Sequence, residues 1–255
     1  SLQGDSRLKL QELARTLGHS QRAERQLRSR FWWVRLGGLR FFSALGQVPQ
    51  DLERCLLDSH PLVRAEAIYL VSGEPTPARV DRVVRELFAP ASPARFASQC
   101  VLLELAQLAT PLLVSYLAQP PQADGLEVAL RAACSVASPA MLPAALQYSR
   151  DSRPAVQRAA AQLLGSIGGG DSVERLLEML QEPGRAAAAQ ALGSLVHWQA
   201  GPRLAALLED ADYEVRYQAA LALRRLGPPG MLFLRQASQH SGQGAPIARL
   251  VLSQC

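Results

Sequence analysis

The sequence lacks several features that would point to particular classes of protein. It has one lysine and 14 aromatic residues among 255, and its four cysteines (Cys55, Cys100, Cys134 and Cys255) form no CxxC pair. No run of about 18 uncharged apolar residues occurs, so no segment is predicted to span a bilayer. The irregular cysteine spacing argues against a metal or disulfide framework. We therefore expect four small buried cysteines in a reducing, cytoplasmic compartment.

Strand-like alternation of apolar and polar residues is also missing, which points away from sheet-based folds. What the chain does contain is a recurring helical frame, clearest in residues 210–227, DADYEVRYQAALALRRLG. There Val215, Ala219 and Leu226 lie on one stripe, and Gly227 suits the position after a helix. The same frame returns at residues 151–168 and 58–71. Its return identifies a repeat protein.

The period of the repeat follows from the residue that corresponds to Val215 in each copy. These residues are Val34, Val63, Ala94, Leu126, Val156, Gly184 and Val215, separated by 28 to 32 residues. A period near 30 is typical of one helical hairpin per repeat. Two prolines recur in most periods, and because proline is tolerated in a first turn but not inside a helix, they mark two short helices.

The pattern predicts an all-α fold, an α-solenoid (superhelix) of about seven antiparallel helix pairs over residues 31–255. Residues 1–30 form an Arg-rich N-terminal helical segment, broken into two pieces near residues 18–20. First helices are expected near residues 49–58, 79–88, 111–119, 140–149, 172–181, 202–209 and 231–240. Second helices begin near the seven equivalent residues given above, and a truncated eighth covers residues 247–253.

The repeat resembles HEAT repeats, especially the short bacterial, phycobilisome-lyase type. The resemblance is carried by Asp58, Val63, Arg64 and Ala67, by Asp151, Val156 and Ala160, and by Asp210, Val215, Arg216, Ala219 and Gly227. It implies that the turn aspartate and the second-helix arginine form a ladder between neighbouring repeats. Arg64 and Arg216 are accordingly expected to be structural, whereas Gln157 departs from the pattern and interrupts the ladder.

The resemblance also implies that the second helices line a concave face. Side chains two, three, five or six residues after each Val equivalent are expected to project into it. They are Glu66, Tyr69, Phe96, Gln99, Arg131, Arg158, Gln162, Gln190, Tyr217 and Gln218. Aromatic anchors among amides and a few charges are typical of a surface that binds protein. An ordinary solvated helix face remains the alternative for this set.

The net positive charge of the chain comes from its N-terminal end. Residues 1–40 hold nine Lys and Arg against three Asp and Glu, a net charge of +6, whereas the remainder holds 18 basic and 19 acidic residues, a net charge of −1. A nearly neutral array argues against a groove that follows a phosphate backbone.

Residues 31–46, FWWVRLGGLRFFSALG, contain five of the 14 aromatic residues. They are interpreted either as closing the open end of the array or as part of a surface for a membrane or a partner. The residues expected on that surface are Arg22, Arg25, Arg28, Arg30, Trp32 and Trp33.

Enzymes built on HEAT-like scaffolds depend on catalytic residues that this sequence does not contain in the required pattern. Metal-dependent hydroxylases need paired His and Glu, but His19, His60, His197 and His240 are followed by Ser, Pro, Trp and Ser. No cofactor, metal site or small-molecule substrate is therefore expected. The function predicted is a non-catalytic scaffold or adaptor for protein–protein interaction in a bacterial assembly, with a membrane-proximal variant. The alternatives are a nucleic-acid-binding protein of the DNA glycosylase class and a phycobilin lyase-like chromophore-binding protein.

Overall fold

All regular structure in the described part of the chain is helical. The computed structural model describes residues 2–121 and 124–254. Within these residues it contains 17 α-helices, four short 3₁₀ turns and no strand. Contacts divide the chain into two compact units, Ser1–Ala132 (unit 1) and Ala133–Cys255 (unit 2). The prediction of an all-α fold is confirmed.

Unit 1 stacks helical hairpins on an N-terminal pair of helices. Its helices are α1 (Leu2–Thr16), α2 (His19–Leu27), α3 (Trp32–Leu45), α4 (Leu52–Leu56), α5 (Pro61–Val71), α6 (Pro77–Phe88), α7 (Pro93–Val101), α8 (Ala106–Ala118) and α9 (Leu126–Ala133). The second helices α3, α5 and α7 pack side by side in one layer, and α4, α6 and α8 form the layer behind them. The break between α1 and α2 falls at Gly18, whose φ of 71° suits a residue without a Cβ.

Unit 2 repeats the same two-layer arrangement. Its helices are α10 (Leu142–Tyr148), α11 (Pro154–Ile167), α12 (Gly170–Met179), α13 (Arg185–Ser194), α14 (Gly201–Ala206), α15 (Tyr213–Arg225), α16 (Pro228–Gln239) and α17 (Ala245–Leu252). The second helices α11, α13, α15 and α17 lie in one layer, each against the next. Side chains on the outer face of this layer are consequently brought close together across repeats.

Prolines and capping side chains determine where helices begin. Helices α5, α6, α7 and α11 each start at a proline, as the sequence predicts. Thr76 caps α6 by accepting the N–H of Arg79 at 3.3 Å, and Ser92 caps α7 in the same way. Asp212 accepts the N–H of Glu214 at 2.9 Å ahead of α15. The acidic turn before α15 therefore caps this helix.

Three predicted helix starts are wrong. The helices expected from residues 49 and 231 begin at Leu52 and Pro228, and the one expected from residue 111 begins at Ala106, which places Pro111 inside α8. Because Pro111 has no N–H, one hydrogen bond inside α8 is missing. Ala109, Leu113 and Leu117 are fully buried at four-residue spacing, and this apolar stripe holds α8 in place despite the proline.

The expectation of four buried cysteines is also wrong in part. Cys55 is buried, but Cys100 is exposed and Cys134 is partly exposed, while Cys255 lies outside the described residues. Cys100 is exposed because it lies on the outer side of α7, near Tyr69, whose pKa it helps to raise. Cys55 and Cys100 are free thiols.

An arginine ladder connects neighbouring repeats, as the family pattern implies. Each arginine reaches the acid of the following repeat, so Arg35 pairs with Asp58 at 2.6 Å, Arg64 with Glu86 at 2.9 Å and Arg185 with Asp210 at 2.6 Å. The same guanidinium groups donate to backbone carbonyls five or six residues earlier, as Arg64 does to Asp58. Arg216 reaches Gln243 at 3.4 Å instead of an acid. These arginines therefore connect the turn before their own helix to the next repeat.

This ladder predicts a loss of stability in acid. Hydrogen bonds from Arg185 lower the pKa of Asp210 despite burial. Burial raises the pKa of Asp58, but hydrogen bonds from Arg35 and the His60 N–H outweigh it, so the net shift is also downward. Because both pKa values are lower in the folded state, this stabilisation is complete above the ordinary pKa of 3.8 and is lost as pH falls through the folded values.

Urea unfolding from pH 7 to pH 2 measures this contribution. The double variant Asp58→Asn Asp210→Asn is expected to be less stable than the wild type at pH 7 and to converge with it in acid. An equal difference between the two proteins at pH 7 and at pH 2 would show that these carboxylates do not carry the acid sensitivity.

Candidate functional site

A shallow groove runs over the second helices of unit 1. This unit-1 groove has a volume of about 230 Å³ and is formed by α3, α5 and α7. It is lined by Leu36, Arg40, Leu62, Ala65, Glu66, Tyr69, Pro93 and Phe96. Tyr69 and Phe96 stand at its edge with 43% and 63% of their surface exposed. Two aromatic side chains from adjacent repeats are thus available on one surface.

Helical spacing extends this apolar surface along both helices. Leu62 lies seven residues before Tyr69 on α5, and Leu103 lies seven residues after Phe96, just beyond α7. Residues seven apart lie on the same side of a helix. Leu62 is 38% exposed and Leu103 is 65% exposed. Single exposed leucines are ordinary, but four large apolar side chains on neighbouring helices form a patch.

The rim of the unit-1 groove is polar. Arg40 approaches Glu66 at 4.0 Å, and Arg40 is 68% exposed, so this pair contributes little to stability. Burial, and then the hydrogen bond with Cys100, raise the pKa of Tyr69, so its hydroxyl stays protonated at neutral pH. The groove therefore combines an apolar centre with groups that can hydrogen-bond at its edge.

A second groove lies on the corresponding face of unit 2. This unit-2 groove has a volume of about 410 Å³ and runs over α11, α13 and α15. At the start of α13 it is lined by the small residues Gly184, Ala186 and Ala187. The remaining lining includes amide and charged side chains, namely Gln157, Arg158, Gln162, Gln190, Asp212, Glu214 and Gln218. The unit-2 groove is consequently more polar than the unit-1 groove.

The family to which these repeats belong is shown by comparison with family models. The model described as HEAT repeats matches residues 110–184 and 182–240, which together make up about half of the chain. The chain belongs to the HEAT-repeat family. HEAT repeats generally mediate protein–protein interactions, and here they form a helical repeat scaffold.

Several solved structures resemble the chain at low identity. The CpcE–CpcF complex of phycocyanin lyase from Nostoc sp. PCC7120 is 18% identical, with 92% of this chain and 94% of that chain covered and a TM-score of 0.42. An engineered protein is 17% identical over 92% and 77% of the two chains, with a TM-score of 0.47. Human deoxyhypusine hydroxylase is 18% identical over 92% and 95%, with a TM-score of 0.38. No curated protein sequence matches the chain.

The HEAT-repeat pattern placed most of the predicted concave residues in one of the two grooves. Glu66, Tyr69 and Phe96 line the unit-1 groove. Those that line the unit-2 groove are Arg158, Gln162, Gln190 and Gln218. Three predicted residues line neither groove. Arg131 pairs with Glu127 on its own helix at 3.1 Å, Tyr217 stacks on Tyr213 with ring centroids 6.1 Å apart, and Gln99 is partly buried on α7.

Sequence reasoning missed several residues that line the grooves. Leu62, Arg40 and Gln157 were not predicted to lie there. Leu62 directly precedes the buried Val63, so two apolar neighbours compete for the core, and the sequence does not say which one faces outward. Its seven-residue spacing to Tyr69 is the signal that could have identified it.

The predicted N-terminal surface is divided by the fold. Trp32 stacks on His60 with ring centroids 3.9 Å apart, and Arg28 pairs with Asp51 at 2.6 Å, so both hold α3 and α2 against the first repeats. Trp33 remains 55% exposed and stacks on Phe31. Arg28 stays exposed despite its pairing with Asp51, and Arg22, Arg25 and Arg30 are exposed as well. Leu39 and Phe42 of α3 are buried, so the aromatic segment also contributes to closing the stack.

Other surfaces of the described residues carry less concentrated features. Unit 2 has two further hollows on its layer of first helices. One of about 540 Å³ lies beside α14 and α16, and one of about 510 Å³ lies beside α12. Among the described residues, no group of three or more His, Cys, Asp or Glu side chains could hold a metal ion. Across the same residues, no helix combines the length and apolar character that crossing a membrane requires.

Proposed function

We propose that this protein is a non-catalytic adaptor and that its unit-1 groove binds a segment of a partner protein. The observation that carries the proposal is the exposure of Tyr69 and Phe96, together with Leu62, on adjacent second helices. Large aromatic side chains on a concave surface supply much of the binding energy in protein interfaces. The membership of the HEAT-repeat family supports the same class of function.

The size of the unit-1 groove favours a polypeptide over a small molecule. Its volume of about 230 Å³ is below the range of roughly 300–1,000 Å³ that is typical of small-molecule pockets. A space of this size suits one or two anchoring side chains from a partner, with the rest of the partner lying on the surrounding helices. The polar rim of Arg40 and Glu66 then provides contacts around an apolar centre, which is the usual arrangement of such interfaces.

The chemistry of the described side chains also supports a non-catalytic role. Burial raises the pKa of the Cys55 thiol to about 12, so this thiol is neutral and a poor nucleophile at physiological pH. The carboxylates with lowered pKa values, such as Asp58 and Asp210, are paired with the arginines that join the repeats. Their perturbed pKa values have a structural cause.

Affinity purification from the native cell after chemical cross-linking tests the proposal. The double variant Tyr69→Ala Phe96→Ala is expected to lose a partner that the wild type retains, because truncating two anchoring aromatic side chains typically costs more than about 30-fold in affinity. Leu232→Ala is the matched control, since Leu232 is 66% exposed but lies on the first helix α16. Capture of the same proteins by all three forms would refute the adaptor role of this groove.

A further inference from the structure

The N-terminal helix α1 carries an apolar stripe that the protein itself does not cover. Leu10, Leu13 and Leu17 are 56% to 66% exposed and follow one another at spacings of three and four residues. Such spacing places them on one side of the helix. This is not the side on which α1 packs, because Ala14 is the buried residue and Gln11 donates a hydrogen bond to the Leu45 carbonyl at 2.7 Å.

Basic side chains without carboxylate partners occur in the same segment, and Lys9 lies directly beside the stripe on α1. Lys9, Arg15 and Arg22 are exposed, and none of them forms an ion pair with any residue that the structure describes. This differs from Arg28 and Arg35, which are paired with aspartates of the first repeats. The charge is also segregated along the chain, since residues 1–40 have a net charge of +6 and the remainder a net charge of −1. The net positive charge is therefore concentrated at this end.

An exposed aromatic cluster follows in the same segment. Trp33 is 55% exposed and stacks on Phe31 with ring centroids 4.7 Å apart, and the guanidinium of Arg30 lies 4.4 Å from the centre of the Phe31 ring. Tryptophan together with basic side chains is characteristic of the membrane–water interface, where an amphipathic ring contacts both lipid and water.

We propose that α1 lies in the plane of an anionic lipid surface, with Leu10, Leu13 and Leu17 in the acyl boundary, Lys9 on the headgroups beside them, and Arg15 and Arg22 adding positive charge near the surface. A helix of 15 residues is about 22 Å long, which is too short to cross a hydrocarbon core of about 30 Å but suits an in-plane helix. Pairing of α1 with a second copy would bring like charges together. A nucleic acid would bind the cations but leave the leucines uncovered.

Co-flotation of the full chain with vesicles tests this inference. Vesicles of phosphatidylcholine with about 30% phosphatidylglycerol are expected to bind the protein, and vesicles of phosphatidylcholine alone are expected to bind it much more weakly. The triple variant Lys9→Gln Arg15→Gln Arg22→Gln is expected to bind the anionic vesicles about 100-fold more weakly, since each cation contributes roughly a fivefold factor. Leu10→Gln Leu13→Gln Leu17→Gln is expected to lose at least as much.

The matched control removes the same number of exposed arginines from unit 2. Arg203→Gln Arg235→Gln Arg249→Gln is expected to bind like the wild type, because these residues are exposed but far along the chain from α1. Absence of binding to the anionic vesicles overturns the inference, as does equal binding of wild type and both α1 variants. A fall in molar mass of the leucine variant in light scattering, without loss of flotation, would assign the stripe to self-association instead.

Discussion

Replacing Arg175 by alanine is expected to lower the free energy of unfolding by about 2–4 kcal/mol. Arg175 lies on α12 and is 4% exposed. Its guanidinium donates to the hydroxyl of the fully buried Ser149 at 2.7 Å, to the Ser149 carbonyl at 3.1 Å and to Glu182 at 2.7 Å. Ser149 follows α10, so this one side chain joins two successive repeats through their first helices. Its removal leaves a buried carbonyl without that partner and an empty volume.

Chemical denaturation of a set of variants measures this effect. Arg175→Lys is expected to recover little, because an ammonium group cannot reproduce the planar set of donors. Arg150→Ala is the control, since Arg150 is 63% exposed and approaches Glu178 at only 3.8 Å, and its loss is expected to be small. A loss below about 1 kcal/mol for Arg175→Ala would mean that this bridge is not what holds the two repeats together.

Replacing Gly193 by alanine is expected to destabilise the protein by about 1–3 kcal/mol. Gly193 lies on α13 where the helix meets α15, and a Cβ there would lie 2.6 Å from the Ala222 Cα and 2.7 Å from its Cβ. No real side chain is found so close to another backbone, so the two helices would have to separate. Since α13 and α15 form part of the unit-2 groove, the groove would change shape as well.

Replacing Gly37 by alanine is expected to change the stability in the opposite direction. Gly37 is an exposed residue inside α3, and a Cβ there would meet no atom within 4 Å. Alanine is the better helix former by up to about 1 kcal/mol, so Gly37→Ala is expected to stabilise the protein slightly. Thermal unfolding of both variants measures these two changes in stability. If Gly193→Ala proved as stable as Gly37→Ala, the close contact between α13 and α15 would be disproved.

Much of the fold could be predicted because each repeat carries its own start signals. Prolines marked the beginnings of α5 and α7, and Gly18 and Gly227 marked breaks with φ values of 71°. The Arg–Asp ladder was expected from the family pattern, but its register was not, because the sequence does not reveal that Arg35 reaches forward to Asp58. The bridge from Arg175 to Ser149 was missed altogether. It connects first helices of successive repeats, for which the sequence pattern contains no matching acid.

The candidate site was predictable only as far as helical spacing determines direction. Counting from Val63 and Ala94 correctly placed Tyr69 and Phe96 on the surface of the unit-1 groove. The same count selected Arg131, which pairs with Glu127 on its own helix and lines neither groove. Local pairing of this kind depends on rotamers and neighbours, which periodicity does not describe.

The most direct test of the adaptor role is photo-cross-linking at single positions in the native cell. A benzophenone side chain in place of Phe96 is expected to form a covalent product with a partner protein, because Phe96 is 63% exposed at the edge of the unit-1 groove. The same group in place of the equally exposed Leu232 is expected to form none. Partner products at position 232 but not at position 96 would contradict the assignment of the unit-1 groove as the docking surface.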